Sequence, residues 1–128
     1  MSLWYFHGVE VELTKDYRFE AAHFLPRVPA GHKCARVHGH SYKAEIEVRG
    51  PVDPATGWLI DFGVIDEAWG ELFKLFDHHN LNEVAGLENS TCENIAMYVW
   101  GALRPRIPAL SAVTIWETSD SKCTYRGR

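Results

Sequence analysis

The sequence predicts an α+β domain in the order ββααββ, an antiparallel sheet with two helices on one face. Three observations predict it. Two early segments alternate apolar and polar residues at the period of a strand. The middle of the chain switches twice to helical spacing. The C-terminal part returns to two short strand-like runs around a polar turn.

The first strand is read over residues 13–25, "LTKDYRFEAAHFL", where Tyr17, Phe19, Ala21 and His23 share one face. The second begins near His38. There Tyr42, Ala44, Ile46 and Val48 share a face with His38 and His40, and Lys43, Glu45, Glu47 and Arg49 face the other way. "GPVDPATG" is dense in Gly, Pro and Asp and reads as a turn, followed by a short extended piece, "WLIDF". Phe62, Ile65, Trp69, Leu72, Phe73 and Phe76 then fall at helical spacing behind a capping Asp61. The second helix starts at "NSTCENIA", with Ser90 and Glu93 as a capping box, and Pro105 and Pro108 limit it. "SAVTIWET" and "KCTYR" are the last strands, around "SDSK". Four strands leave two open sheet edges, and open edges invite pairing with another chain, so a homo-oligomer is expected.

One domain over residues 1–128 is expected, with residues 1–12 as an N-terminal extension. The formal net charge is -4 and Lys and Arg are scattered, which disfavours a nucleic-acid partner. No apolar stretch approaches the ~20 residues of a membrane span, and the start lacks the features of a signal peptide. Three widely spaced cysteines argue against a disulfide scaffold and for a reducing, cytoplasmic setting.

"GHKCARVHGHSY" carries the chemistry. Residues two apart on a strand point to one side about 6.7 Å apart, so His38 and His40 can lean toward one ion. His23 faces inward on the preceding strand and supplies a third imidazole if the two strands pair. Three neutral imidazoles suit Zn²⁺ and leave a fourth position for water or substrate. Two other readings stay open: ordinary polar histidines, or a closed structural site with Cys34 as fourth ligand. Cys34 also reads as a base or nucleophile beside the imidazoles, whereas Cys92 and Cys123 read as inert buried thiols. Asp77 and His78 form either a proton relay, which needs irregular backbone at the helix end, or a charge cluster there. His32 has no assigned role.

Together "FEAAHFLP", "CARVHGHSY", "WLIDF", "DHHNLN", "NSTCENIA" and "WET" resemble the 6-pyruvoyl-tetrahydropterin synthase family over residues 13–127. The three residues between Cys34 and the HGH, with "LPRVPAGHKC" and "SKCTYRG", look like its bacterial branch, 6-carboxy-tetrahydropterin synthase of queuosine biosynthesis. The resemblance implies a tunnelling fold whose sheets join into an oligomeric barrel, usually a hexamer of two stacked trimers with interfacial active sites. It implies Zn²⁺ on His23, His38 and His40, Cys34 as the proton-transferring thiol, and Asp77 and His78 as a second relay contributed across the interface. Glu117 falls on the family's pterin anchor, suited to accept two parallel N–H bonds; read in isolation it is a solvent-facing strand end. Ser90 and Thr91 are added as candidate pterin contacts, and Asp120 either joins the relay or shapes its turn. The implied reaction turns 7,8-dihydroneopterin triphosphate into 6-carboxy-tetrahydropterin, acetaldehyde and triphosphate, with Arg27, Lys33 and Arg36 as candidates for the phosphates. The alternatives are 6-pyruvoyl-tetrahydropterin synthase activity and a non-catalytic pterin-binding module with structural zinc.

Overall fold

The computed structural model describes residues 9–128. Two long strands, β1 (Glu10–His23) and β2 (His38–Pro51), pair antiparallel along their whole length, from Glu10 opposite Pro51 to His23 opposite His38. β1 starts three residues before the expected position because Glu10, Val11 and Glu12 continue the alternation and β2 runs on to meet them. The expected extension thus contributes residues 10–12 to the sheet, and residues 1–8 lie outside the described part.

"WLIDF" forms no strand. It bends from the turn into helix α1 (Phe62–Phe76), whose first turn Asp61 caps by accepting from the Gly63 N–H at 2.8 Å. Gly50 of β2 has no side chain because Leu59 occupies that space: a Cβ there would meet Leu59 Cδ1 at 2.8 Å. α1 buries Ile65, Ala68, Trp69, Leu72 and Phe76. Phe62 and Phe73, expected on the same stripe, remain 43% and 39% exposed. Ala68 brings α1 down on a narrower stripe, and the Lys15 ammonium lies over the Phe62 ring, 5.8 Å from its centroid.

After α1 comes an element that the sequence reading missed. β3 (His79–Asn80) pairs parallel with β1 at Ala21 and Ala22, so the described sheet has five strands and is mixed, not purely antiparallel. Two residues are too few to show a period. Helix α2 (Cys92–Leu103) is capped by Thr91, whose Oγ1 accepts from the Asn94 N–H at 3.1 Å. This corrects the expected Ser90–Glu93 box: Ser90 is drawn fully into the interior and cannot face the helix end. The chain closes with β4 (Leu110–Thr118) and β5 (Ser121–Tyr125), giving the order β3-β1-β2-β4-β5.

The core lies between the sheet and the two helices. Tyr42, Ala44, Ile46 and Val48 have no exposed surface, and Phe19 stacks on Tyr42 at 4.8 Å. Burying each large apolar side chain this way contributes about 1.5–3 kcal/mol. Both flanks of the sheet stay open among the described residues, because β3 covers only two residues of β1 and β5 has no outer neighbour. No described helix is long and apolar enough to cross a membrane.

Candidate metal centre

The β1–β2 register sets His23 directly opposite His38, and His40 follows two residues later on the same face. The three imidazoles converge: one ligand nitrogen from each lies within 4.8 Å of the others. Ring centroids are 4.7 Å apart for His23–His38, 5.1 Å for His23–His40 and 4.8 Å for His38–His40. The rings meet edge-on.

Hydrogen bonds choose the tautomers. A carbonyl only accepts, so His23 Nδ1, 2.8 Å from the Ser90 carbonyl oxygen, carries the proton and leaves its Nε2 lone pair free. His38 Nδ1 donates in the same way to the Arg36 carbonyl at 2.7 Å. His23 Nε2 and His40 Nε2 are buried and have no hydrogen-bond partner. A buried polar nitrogen without a partner is costly and rare, and here the two belong to converging rings. Burial lowers the pKa of His23 and His40 below the ordinary 6.5, so both rings are neutral at pH 7. Three converging imidazoles, two of them (His23 and His38) oriented by backbone carbonyls, are a donor set that a divalent metal such as zinc fits.

Glu117 enters from β4, its carboxylate 3.7 Å from His40 Nε2 and 4.0 Å from His23 Nε2. Beside neutral rings these are contacts, not ion pairs. The β4–β5 register shifts between Trp116 and Thr118, so Glu117 sits at a bulge, a device that re-aims a side chain. Tyr42 lies two residues beyond His40, its ring centroid 5.4 Å from that of His40. Its hydroxyl is buried without a partner, and burial with the Glu117 charge pushes its pKa up.

Asp77 and His78 meet as a pair. α1 stops at Asp77, and His78 takes a left-handed backbone, φ 59°, which turns its ring back onto the preceding carboxylate. His78 Nδ1 is 2.7 Å from Asp77 Oδ2, while Asp77 Oδ1 accepts from the Glu20 N–H at 2.9 Å. The Glu20 N–H and then the His78 contact hold the Asp77 pKa below its ordinary value. His79 is locked as well, its Nδ1 donating to the Asp77 carbonyl at 2.8 Å. His78 and His40 share the wall of a depression of about 600 Å³ that also includes Ser41 and Asn80.

Cys34 does not join the metal group. It sits on a short 3₁₀ turn, Lys33–Ala35, and its carbonyl accepts from the Leu25 N–H at 2.7 Å, which ties the turn to the chain just after His23. His32, left without a role by the sequence, caps that turn by accepting from the Cys34 N–H at 3.0 Å. Thr91 spends its hydroxyl on α2. It stands between Ser90, which holds His23, and Cys92, which shares a cavity wall with Glu117. Burial pushes the Cys92 thiol up to about 12 and raises Cys123, in keeping with inert thiols. Asp120 shapes its turn, accepting from the hydroxyls of Thr118 at 2.9 Å and Ser121 at 3.0 Å. Arg27, Lys33 and Arg36 are exposed in the loop before β2. Sequence reasoning missed how Ser90 and Arg36 orient the rings, since both act through carbonyls that no side-chain pattern reveals.

Over residues 12–128 the sequence matches the family described as 6-pyruvoyl tetrahydropterin synthase. It is 36% identical over 119 residues to a 6-carboxy-5,6,7,8-tetrahydropterin synthase of Synechocystis sp., covering 88% of this chain and 91% of that protein. The enzyme of the same description from Bacillus subtilis is 32% identical over 129 residues, with 94% and 88% covered. A 6-pyruvoyl tetrahydrobiopterin synthase of Drosophila melanogaster is 39% identical over 132 residues, with 90% and 79% covered. The structure of Caenorhabditis elegans 6-pyruvoyl tetrahydropterin synthase superposes with a TM-score of 0.87 at 29% identity, covering 94% of this chain and 97% of that one. The chain belongs to the 6-pyruvoyl tetrahydropterin synthase family.

Proposed function

We propose that this protein is a zinc-dependent 6-carboxytetrahydropterin synthase of queuosine biosynthesis, working in the cytoplasm as one domain over residues 1–128. It converts 7,8-dihydroneopterin triphosphate and a water to 6-carboxy-5,6,7,8-tetrahydropterin, acetaldehyde and triphosphate. The observation that carries this reading is the pair of buried, partnerless Nε2 atoms of His23 and His40, converging with His38 beside Glu117.

Zinc bound by His23, His38 and His40 supplies Lewis acidity toward the oxygens of the substrate side chain. Glu117 accepts the paired N–H groups of the pterin edge, and Thr91, between Ser90 and Cys92, adds a contact. Asp77 orients His78 by accepting its Nδ1–H, which leaves His78 Nε2 to take or return a proton. Cys34, on the turn tied to the end of β1, is the second proton-transferring group. The sheets join edge to edge into a hexamer of two trimers. Support comes from the open flanks of the sheet and from His78, whose side chain is 78% exposed on the β3 flank, where it can serve a neighbouring subunit's site.

Mass spectrometry of the product tests the reaction, with 6-carboxytetrahydropterin and acetaldehyde expected. A pyruvoyl product without acetaldehyde would overturn it in favour of 6-pyruvoyl-tetrahydropterin synthase, a reading favoured by the 39% identity to the Drosophila relative. Cys34→Ala addresses a non-catalytic module with structural zinc. Retained zinc with lost turnover supports the enzyme; loss of zinc and of folding together supports the module.

A further inference from the structure

The face of the sheet away from the helices carries a row that the reaction above leaves unused. Arg18 pairs with Lys43, Lys43 with Trp116, and Trp116 with Lys122, so four neighbouring strands set these side chains side by side. Strand alternation puts them opposite the buried Phe19, Tyr42 and Ile115. The Lys43 and Lys122 ammonium groups each lie 4.8 Å from the centre of the Trp116 ring.

Like charges gathered across a sheet repel, and here Glu45, opposite Asp16 on the same face, offsets them in part and also accepts from the Trp116 Nε1–H at 2.7 Å. Lys43 has Glu45 at 3.4 Å. Among the described residues neither Arg18 nor Lys122 forms an ion pair. The carboxylate of Glu20, in the next position along β1 on this face, is engaged by the Ser41 hydroxyl at 2.8 Å. A row of cations in a chain of formal net charge -4 runs against the average.

The row also borders an opening. The β2–β4 ladder ends at Lys43–Trp116, although β2 continues to His38 and β4 to Thr118. A cavity of about 480 Å³ lies at this end, and its wall includes Arg18, Lys43, Trp116, Ser41, His40 and Glu117. One cavity therefore touches the cation row, His40 of the histidine cluster and the Glu117 carboxylate beside it.

We propose that Arg18, Lys43, Trp116 and Lys122 form an anion subsite that takes the polyphosphate part of the substrate. The proposal rests on the pterin triphosphate reading above and places the phosphates on the sheet, not on the exposed loop of Arg27, Lys33 and Arg36.

Inorganic tripolyphosphate titrated into the zinc-loaded protein by calorimetry tests it. In Arg18→Gln/Lys122→Gln, binding is expected to weaken about tenfold for each charge removed. The KM for dihydroneopterin triphosphate should rise in parallel, while zinc content and binding of unphosphorylated dihydroneopterin stay at the wild-type level. No tripolyphosphate binding by the wild type, or equally tight binding by the double variant, overturns the subsite. So does weakening in Arg27→Gln/Lys33→Gln with none in the row variant. Failure of the reaction reading looks different: tripolyphosphate binds and is lost with the row, yet the wild type does not turn over dihydroneopterin triphosphate. That outcome supports the anion subsite and sinks only the reaction.

Discussion

Along β2, Ala44, Ile46 and Val48 are fully buried and have strand partners on both sides, whereas His38 and His40 at the other end are half-buried and pair only with β1. One end closes an apolar core. The other leaves ring nitrogens without partners, beside a carboxylate aimed by a bulge. Orphaned buried polar groups destabilise a fold, so the closed end offsets what the open end costs. Stability and chemistry are separated along a single strand, and that separation is testable.

Removing a ligand should have the largest effect. His40→Ala is expected to abolish stoichiometric metal binding and to lower turnover at least about a thousandfold, about 4 kcal/mol, while far-UV circular dichroism stays native. Full metal content with activity retained would break the division. Ile46→Ala is the mirror experiment: denaturant titration should show a loss of about 2–5 kcal/mol, with zinc per folded molecule unchanged. At the rim, Asp77→Asn should cost about a hundredfold in turnover at unchanged metal content, because His78 loses its orienting partner. Lost zinc in that variant would make the pair part of the metal site.

Acid sharpens the contrast. His23 and His40 have folded pKa values below their ordinary 6.5. Their contribution to the stability of the zinc-free protein is therefore fully present above pH 6.5. As pH falls below it, the unfolded chain takes up protons that the folded one refuses, and stability drops. Asp77, also lowered, acts in a separate window that opens only near its ordinary 3.8. Melting temperatures measured from pH 7.5 to 5 should decline in the wild type and decline in parallel in Ile46→Ala. The slope should flatten in His23→Gln; an unflattened slope would assign the loss to other groups. The smallest effect is expected for Thr91→Ala, a stability loss of about 1 kcal/mol from the missing cap, with a raised KM for the pterin. An unchanged KM would leave Thr91 a cap alone.

Much of the candidate site is legible in the sequence. The His-x-His spacing on an alternating strand placed His38 and His40 on one face, and the period of the preceding strand put His23 inward. The irregular backbone needed at Asp77 and His78 was expected where the periodicity of α1 ends, and Asp61 marked its beginning. Each of these is a property of one segment, set by side-chain period or by a cap that acts within a few residues. The capping box failed because Ser90 answers to His23, 67 residues away, rather than to the helix beside it.

The sequence by itself thus determined four of the five described strands, the two helices, the shared face of the three histidines and their identity as candidate ligands. Tertiary structure decided how the three rings converge, how Glu117 is turned toward them, where β3 joins, and how Arg18, Lys43, Trp116 and Lys122 come to lie in one row. The physical reason is that period and capping are local, whereas tautomer, bulge and register arise only when distant strands exchange hydrogen bonds.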